Sequence, residues 1–578
     1  MYGNNNSDAN NNQTVIPERF YRGSSDLKSI KVTRFPIEAF GNDEVYNPGG
    51  QVIKAMNKKI KNLGILLSLF SFFLFTEIQA NETQKNFKTH CASCHGENRL
   101  GLMGPALLPE NLKRLRKKSA HKVITNGRAA TQMPAFKEKL NKDQVQSLVD
   151  FIYTPLDKIP EWNLQHITES QIIYEDAQGL PAKPVWQADP MNLFLVVELG
   201  DHHVTLLNGD TFEPIHRFAS RFALHGGPKY SPDGRFVYFG SRDGWVTKYD
   251  IYNLAVVAEI RVGINMRNVA VSSDGRYVIA GNYLPHTMVI LSAEDLSLLK
   301  IIPVTDKQGN SSRVSAVYDA APRNTFIAAL KDIKEVWEIS YEDNPPMGFG
   351  KWMHDYREDS GENAGQKRHK EPFPIRKIKT EDYLDDFFFN QTYELIIGSS
   401  RDKKAKVVDL DLGRTVNTMD LKGMPHMSSG ITWQYKGKTV LATPNLKDSS
   451  VSIIDMQSWK TIKRIKTLGP GFFMRSHENT PYAWVDVFFG KHKEAVHIIN
   501  KNTLEIVKTI KPAPGKTAAH VEFDKDGKHA LLSIWDMDGA VIVYDAKTLK
   551  EIKRLPMKKP SGKYNVHNKI TRSAGTSH

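Results

Sequence analysis

The chain has 578 residues, more than one small domain holds, although a single large all-β domain could take most of them. Hydrophobic residues make up 40% and charged residues 25%, the balance of a soluble globular protein. The formal charge of +14 is spread along the chain, with no basic stripe interleaved with aromatics. That argues against nucleic acid and favours docking to acidic redox partners.

Residues 1–55 are Asn-rich at first and then irregular, and read as disordered or as a misassigned start. At Met56 the character changes. Met56-Asn57-Lys58-Lys59-Ile60-Lys61 is basic, Leu63 to Phe75 is apolar, and Ile78-Gln79-Ala80 offers a cleavage site before Asn81. This is the layout of a secretory signal peptide over 56–80. The apolar run falls short of the roughly 20 residues that span a bilayer, so no stable membrane span is expected after cleavage. The expected location is the periplasm.

Residues 81–158 form the first expected domain. A helix over Asn81–His90 leads into Cys91-Ala92-Ser93-Cys94-His95, the attachment signature of one covalent c-type haem. The cysteines would form thioethers and His95 would take one axial position on the iron. A redox dithiol or half of a zinc site uses a similar spacing. The chain has no other cysteine, and the apparent export signal also argues against both. Helices are expected over Arg114–Val123 and Lys142–Tyr153. The second carries Val145, Leu148, Val149 and Ile152 at helical spacing. Between them, Thr131-Gln132-Met133-Pro134-Ala135-Phe136 presents Met133 from a Pro-containing loop as the second axial ligand. Met103 is a poorer candidate. The segment resembles an all-α class I cytochrome c domain, which implies one-electron transfer.

Residues 159–184 read as a linker and approach strand. From 185 to 578 the chain is strand-like throughout. A strand, a turn with Asp or Asn and a second strand recur at Leu206, Lys248, Ile290, Val336, Val407, Ile453, Ile498 and Val543. Most copies lie about 42 to 46 residues apart, the period of a β-propeller blade. The step from Val336 to Val407 is longer and contains a charged, Gly- and Lys-rich insertion near 350–380. Eight copies predict an all-β eight-bladed propeller, closed by pairing the end of the chain with an early strand. Turns such as Ser231-Pro232-Asp233-Gly234-Arg235 supply Gly where positive φ is needed.

Loops between the repeats carry the candidate site residues. His225 precedes Gly226-Gly227, where a planar ligand can approach closely. Arg242, Arg267 and His426 lie in other short loops; Arg475 shares one with His477, and Lys516 shares one with His520. Guanidinium and ammonium groups suit carboxylates, and imidazoles suit iron or proton exchange near neutral pH.

The chain resembles the cytochrome cd1 family, which joins a cytochrome c domain to an eight-bladed haem d1 propeller. The resemblance covers about 81–578. It is carried by Phe222-Ala223-Leu224-His225, Tyr230 to Arg235, Val262 to Asn268, Ile279 to Tyr283 and Gly562 to Asn568. It implies His225 as the proximal d1 ligand. In cd1 nitrite reductases two distal histidines protonate nitrite. They would fall near Ala328–Asp332 and Thr380–Phe388, and neither segment contains His. The loop Pro425 to Gly430, the segment Thr131 to Phe136 and the terminal Gly575 to His578 resemble instead the NirN-type dihydro-haem d1 dehydrogenase branch. That branch performs the last step of haem d1 biosynthesis, the oxidation of a propionate side chain to an acrylate. The resemblance implies dihydro-haem d1 as a non-covalent substrate and haem d1 as product. It implies Arg242, Arg267, Arg475 and Lys516 as carboxylate clamps, with His477 beside them. His426 is then a general base or a distal ligand. Electrons would leave through haem c to an external acceptor such as a small cytochrome. Transient complexes with nitrite reductase and other maturation proteins would follow. A nitrite reductase or a non-catalytic d1 carrier remains the alternative.

Overall fold

In a computed structural model, the described residues are 80–112, 115–128, 133–158, 160–224, 226–345, 370–399, 404–419, 421 and 423–571. All lie in one compact unit, Phe75–His578. The signal-peptide reading over 56–79, the segment 1–55, His225 and the insertion over 346–369 lie outside the described residues.

The N-terminal part is helical. A helix over 80–90 runs into the short helix Ala92–His95, followed by Pro109–Leu112, Lys117–Asn126 and Lys142–Ile152. The third expected helix ends one residue early, at Ile152. The second begins later than expected, at Lys117, because Arg116 is extended (φ −67°, ψ 144°). Asn141 and Gln144 form a reciprocal capping box on the last helix. Its apolar face packs Val145, Leu148, Val149 and Ile152 against Phe87, Cys91, Ala120 and Ile124. Arg99 is buried and donates to the carbonyls of Phe151 (2.5 Å) and Thr154 (2.8 Å), a cation at the negative end of that helix.

The large part is an eight-bladed propeller, each blade an antiparallel sheet in sequence order. The first strands, for blades 2 to 8, are Lys229–Tyr230, Asn265–Val271, Val314–Ala320, Asp386–Phe389, Ile431–Tyr435, Met474–Ser476 and Ala518–Phe523. Blade 1 takes its first strand from the end of the chain: Pro560–Asn565 pairs antiparallel with Leu193–Glu198. First strands of neighbouring blades touch each other and so line the centre. Closure of this kind removes the free edges that an open sheet would leave.

The recurring sequence motif is the turn between the third and fourth strands. Asp250 Oδ1 accepts the N–H groups of Tyr252 (2.8 Å) and Asn253 (3.3 Å). Asp455, Asn500 and Asp545 do the same in their blades. Each turn ends on a non-glycine residue at positive φ, such as Leu504 (57°) and Leu549 (58°), whose side chain is buried. Burying a leucine offsets the backbone strain.

The stretch 159–184, read as a linker and approach strand, contains the helix Leu164–Glu169 and the strand Ile172–Ile173, which adds a fifth strand to the edge of blade 2. The insertion near 350–380 stops before Ile375, because Ile375–Lys379 is the outer strand of blade 4. Trp162 lies between the two parts. It packs with Leu100, Ala106, Leu108, Ile264 and Leu284, and its Nε1 donates to the Arg261 carbonyl (2.9 Å). Arg313 of the propeller donates to the Asn111 carbonyl (3.2 Å). The helical part is thereby seated on blades 2 to 4.

Candidate functional site

The site has two halves. In the helical half, Cys91 follows directly on the first helix and Cys94 and His95 lie on the next turn. His95 is buried, with Nδ1 2.8 Å from the Pro105 carbonyl. A carbonyl only accepts, so Nδ1 carries the proton and Nε2 keeps its lone pair for a metal. Gly104 lies against the ring, where an added Cβ would approach within 2.8 Å. Burial, and then Cys94, push the Cys91 thiol up to about 11, the opposite of an activated redox dithiol. Met133 packs against the core that contains Cys91 and Val149, and its carbonyl accepts from the Arg128 N–H (3.2 Å). Met103 is not in that core. The donor types of Cys91, Cys94, His95 and Met133 fit a covalent c-type haem, which these residues would hold.

In the propeller half, one face gathers the connections between blades and those between second and third strands. Arg242 sits in such a connection on blade 2, Arg267 in the first strand of blade 3 and Tyr283 at the end of that blade's second strand. Burial, and then Arg267, bring Arg242 down to about 10. Burial alone would raise the Tyr283 phenol, but Lys331, Arg267 and Arg242 outweigh it and bring it down to about 7. The face is thus strongly cationic.

His426 lies on the same face, before blade 6. It is buried, and its Nδ1 is 2.6 Å from the Phe472 carbonyl, so the proton sits on Nδ1; Nε2 lies 3.2 Å from Ser428 Oγ and 4.0 Å from Asp386 Oδ2. Burial lowers its pKa, opposed by Asp386; Arg267 and Arg475 lower it further. Their charges therefore converge on this imidazole. Arg475 is buried in the first strand of blade 7. Its Nη1 donates to the Met474 carbonyl (3.0 Å), and its Nη2 has no partner among the described residues.

One expected site residue is elsewhere. His477 follows the far end of the same strand and packs on Gly527 of blade 8; its Nε2 is 3.2 Å from the Lys525 carbonyl. Two residues beyond Arg475, it lies in the connection to the second strand, on the face opposite His426. Lys516 lies in the connection between blades 7 and 8, on the site face, where its ammonium is 2.6 Å from Asp538 Oδ2. His225 is outside the described residues. Its neighbours Ala223, Gly226 and Gly227 all have positive φ (45°, 84° and 70°), and a Cβ on Gly226 would lie 2.7 Å from Asn268.

Sequence reasoning named His520 only as a neighbour of Lys516, and Lys563 and Tyr564 only as parts of a matching segment. The fold brings all three to the centre. His520 is buried, and neither ring nitrogen has a partner among the described residues. Its ring lies edge-on to Tyr564 (5.3 Å) and Phe473 (4.8 Å). Burial, then Lys563 and Arg475, hold its pKa well below the ordinary value. Gly562 makes room for the Tyr564 phenol: a Cβ there would meet the hydroxyl oxygen at 2.2 Å. Phe472, Phe473, Phe488, Phe489 and Trp535 pack around Ala519, next to His520. A visible hint was the polar Lys563 inside a strand that must be buried to close the ring.

Comparison with known proteins agrees with this architecture. The model of the Cytochrome D1 heme domain matches residues 188–362 and 365–569. That of cytochrome C oxidase, cbb3-type, subunit III matches residues 79–152. The chain is 50% identical over 519 residues to the dihydro-heme d1 dehydrogenase of Pseudomonas aeruginosa, covering 89% of this chain and 99% of that protein. Protein NirF of the same organism is 26% identical over 382 residues, 65% of this chain and 91% of its own. A solved structure of dihydro-heme d1 dehydrogenase NirN in complex with DHE superposes with a TM-score of 0.71 at 52% identity, covering 84% of this chain and 98% of that one. With matches over most of its length, the chain belongs to the cytochrome D1 heme domain family.

Proposed function

We propose that this protein is a dihydro-haem d1 dehydrogenase. The observation that carries the reading is the buried His520 imidazole, neither of whose nitrogens has a partner among the described residues, set beside Tyr564 and the cationic side chains of Lys563 and Arg475. A buried polar group without a partner implies one supplied by a ligand. The similarity to the P. aeruginosa dehydrogenase supports the same substrate.

The substrate is a macrocycle carrying carboxylates, which Arg242, Arg267 and Arg475 would bind. His225 is the proposed proximal ligand of the substrate iron. Oxidation of the propionate to an acrylate breaks two C–H bonds and forms one C=C bond, releasing two protons and two electrons. His520, neutral because burial lowers its pKa, accepts a proton from the side chain. Tyr564 shields and orients the imidazole. His426 Nε2 is placed to accept a proton or to ligate the iron from the distal side. The aromatic cluster excludes water from the reacting carbons. When bound, covalent haem c supplies a one-electron relay to an external acceptor, of which a small cytochrome is the fitting class.

A nitrite reductase is disfavoured by the two distal segments, which meet in an ion pair between Lys331 and Asp385 (3.1 Å) and contain no histidine. The periplasm is the proposed location; among the described residues no helix is long and apolar enough to cross a membrane. The deciding test is incubation with dihydro-haem d1 and a one-electron oxidant. Mass spectrometry should show the pigment losing two hydrogens; unchanged pigment would overturn the assignment.

A further inference from the structure

We propose that the buried Asp486–Lys563 pair is a positioning device for His520, and that Asp486 couples His520 to His426. This rests on the dehydrogenase reading for its kinetic consequences but not for its geometry.

Asp486 ends the second strand of blade 7 and is fully buried. Its Oδ1 accepts the N–H groups of Phe472 (2.7 Å) and Phe473 (3.1 Å). Its Oδ2 accepts from Phe473 (3.2 Å) and, over a longer 3.4 Å, from the N–H of His520. Lys563, fully buried on the first strand of blade 1, donates to the His520 carbonyl and to Ser533 Oγ (2.9 Å). A carboxyl group from one neighbouring blade and an amine from the other thus hold the two peptide groups that flank His520.

His520 requires such support. Its φ is +56°, and the pairing register shifts between Ala519 and Val521, so it occupies a bulge in the first strand of blade 8. A left-handed residue in a bulge re-aims its side chain and is strained unless its surroundings hold it. The two side chains bond the backbone around His520, so their role is to fix its conformation. The same carboxylate reaches the second histidine: Phe472 gives its N–H to Asp486 and its carbonyl to His426 Nδ1. One group therefore sets the positions of both imidazoles.

The test uses the full-length haem-loaded protein, dihydro-haem d1 and a chemical one-electron oxidant. Asp486→Asn keeps the side-chain shape and should slow single-turnover conversion ~100-fold, the cost of a small misplacement of a reacting group. Substrate affinity from absorbance titration should stay within ~3-fold and the haem c spectrum should not change. Lys563→Gln should behave alike, and the double variant should lose about as much as the worse single one. Ser533→Ala removes only the second anchor of Lys563. It should slow conversion by a smaller factor, and it carries the test if the charge variants do not fold. Wild-type rates in these variants, or fully additive losses, would overturn the proposal. A crystal structure of Asp486→Asn, or of Ser533→Ala if that variant alone folds, reads the geometry without activity. His520 should leave the left-handed region in the first and shift its ring in the second. An unmoved His520 would overturn the positioning role even if the wild type converted nothing, whereas failure of the wild type to convert dihydro-haem d1 would overturn the dehydrogenase reading alone.

Discussion

His426 Nδ1 lies 2.6 Å from the carbonyl oxygen of Phe472, and the two rings lie tilted at 36° with centroids 4.2 Å apart. The contact fixes the tautomer and leaves Nε2 as the reactive nitrogen, equally suited to accept a proton or to bind iron. His426→Ala should abolish multiple-turnover conversion while sparing haem c. Iron spectroscopy of bound substrate separates the roles: a changed ligand field identifies a distal ligand, and an unchanged one identifies a base.

His520→Ala should remove the proton acceptor beside Tyr564. Conversion should fall by roughly 10²- to 10⁴-fold, the range for loss of a general base. Affinity for dihydro-haem d1 should change far less. Single-turnover absorbance measures the first quantity and equilibrium titration the second.

Arg475 and His477 are two positions apart but face different environments. Arg475→Ala should weaken substrate binding by about 1.5–3 kcal/mol, the range for a hydrogen bond to a charged group. His477→Ala should instead lower the melting temperature, because it removes contacts with the turn at Lys525 and Asn479. Titration and thermal melts on both variants check the separation.

Acid stability has an identifiable contributor in His497. It is buried, its Nε2 accepts the Leu468 N–H (3.0 Å), and its Nδ1 is 2.7 Å from Thr509 Oγ1. Burial lowers its pKa from 6.5 to about 4. Above pH 6.5 both folded and unfolded states hold it neutral and its full contribution is present. As the pH falls from 6.5 towards 4, the unfolded state takes a proton that the folded state refuses, so stability is lost. Melting temperature against pH should fall across this window, and His497→Gln should flatten it.

Trp162 joins the helical part to the propeller through its bond to Arg261 and the Arg261 guanidinium 4.7 Å over its ring. Trp162→Ala should cost about 2 kcal/mol, below the value for a fully buried aromatic because Trp162 is half-buried. Limited proteolysis should cut the 153–163 connection sooner, and reduction of haem c by substrate should slow.

The sequence by itself determined the local chemistry. Cys91 to His95 is readable because two thioethers and an axial imidazole need that covalent spacing. The eight blades are readable because most end their third strand on an Asp or Asn, such as Asp250 or Asp545, that caps the turn to the fourth, while blades 3 and 4 use Ser292 and Ser340. Neither feature depends on distant residues. Only the tertiary structure decided which polar residues meet. Arg475, His520 and Lys563 lie in different repeats and converge because their strands line one axis. Position within a blade then assigns the face, so His477 separates from Arg475 although only two residues divide them. The conformation of His520 was equally invisible. A positive φ at a histidine is held by Asp486 and Lys563 from other blades, and that interaction exists only once the ring has closed.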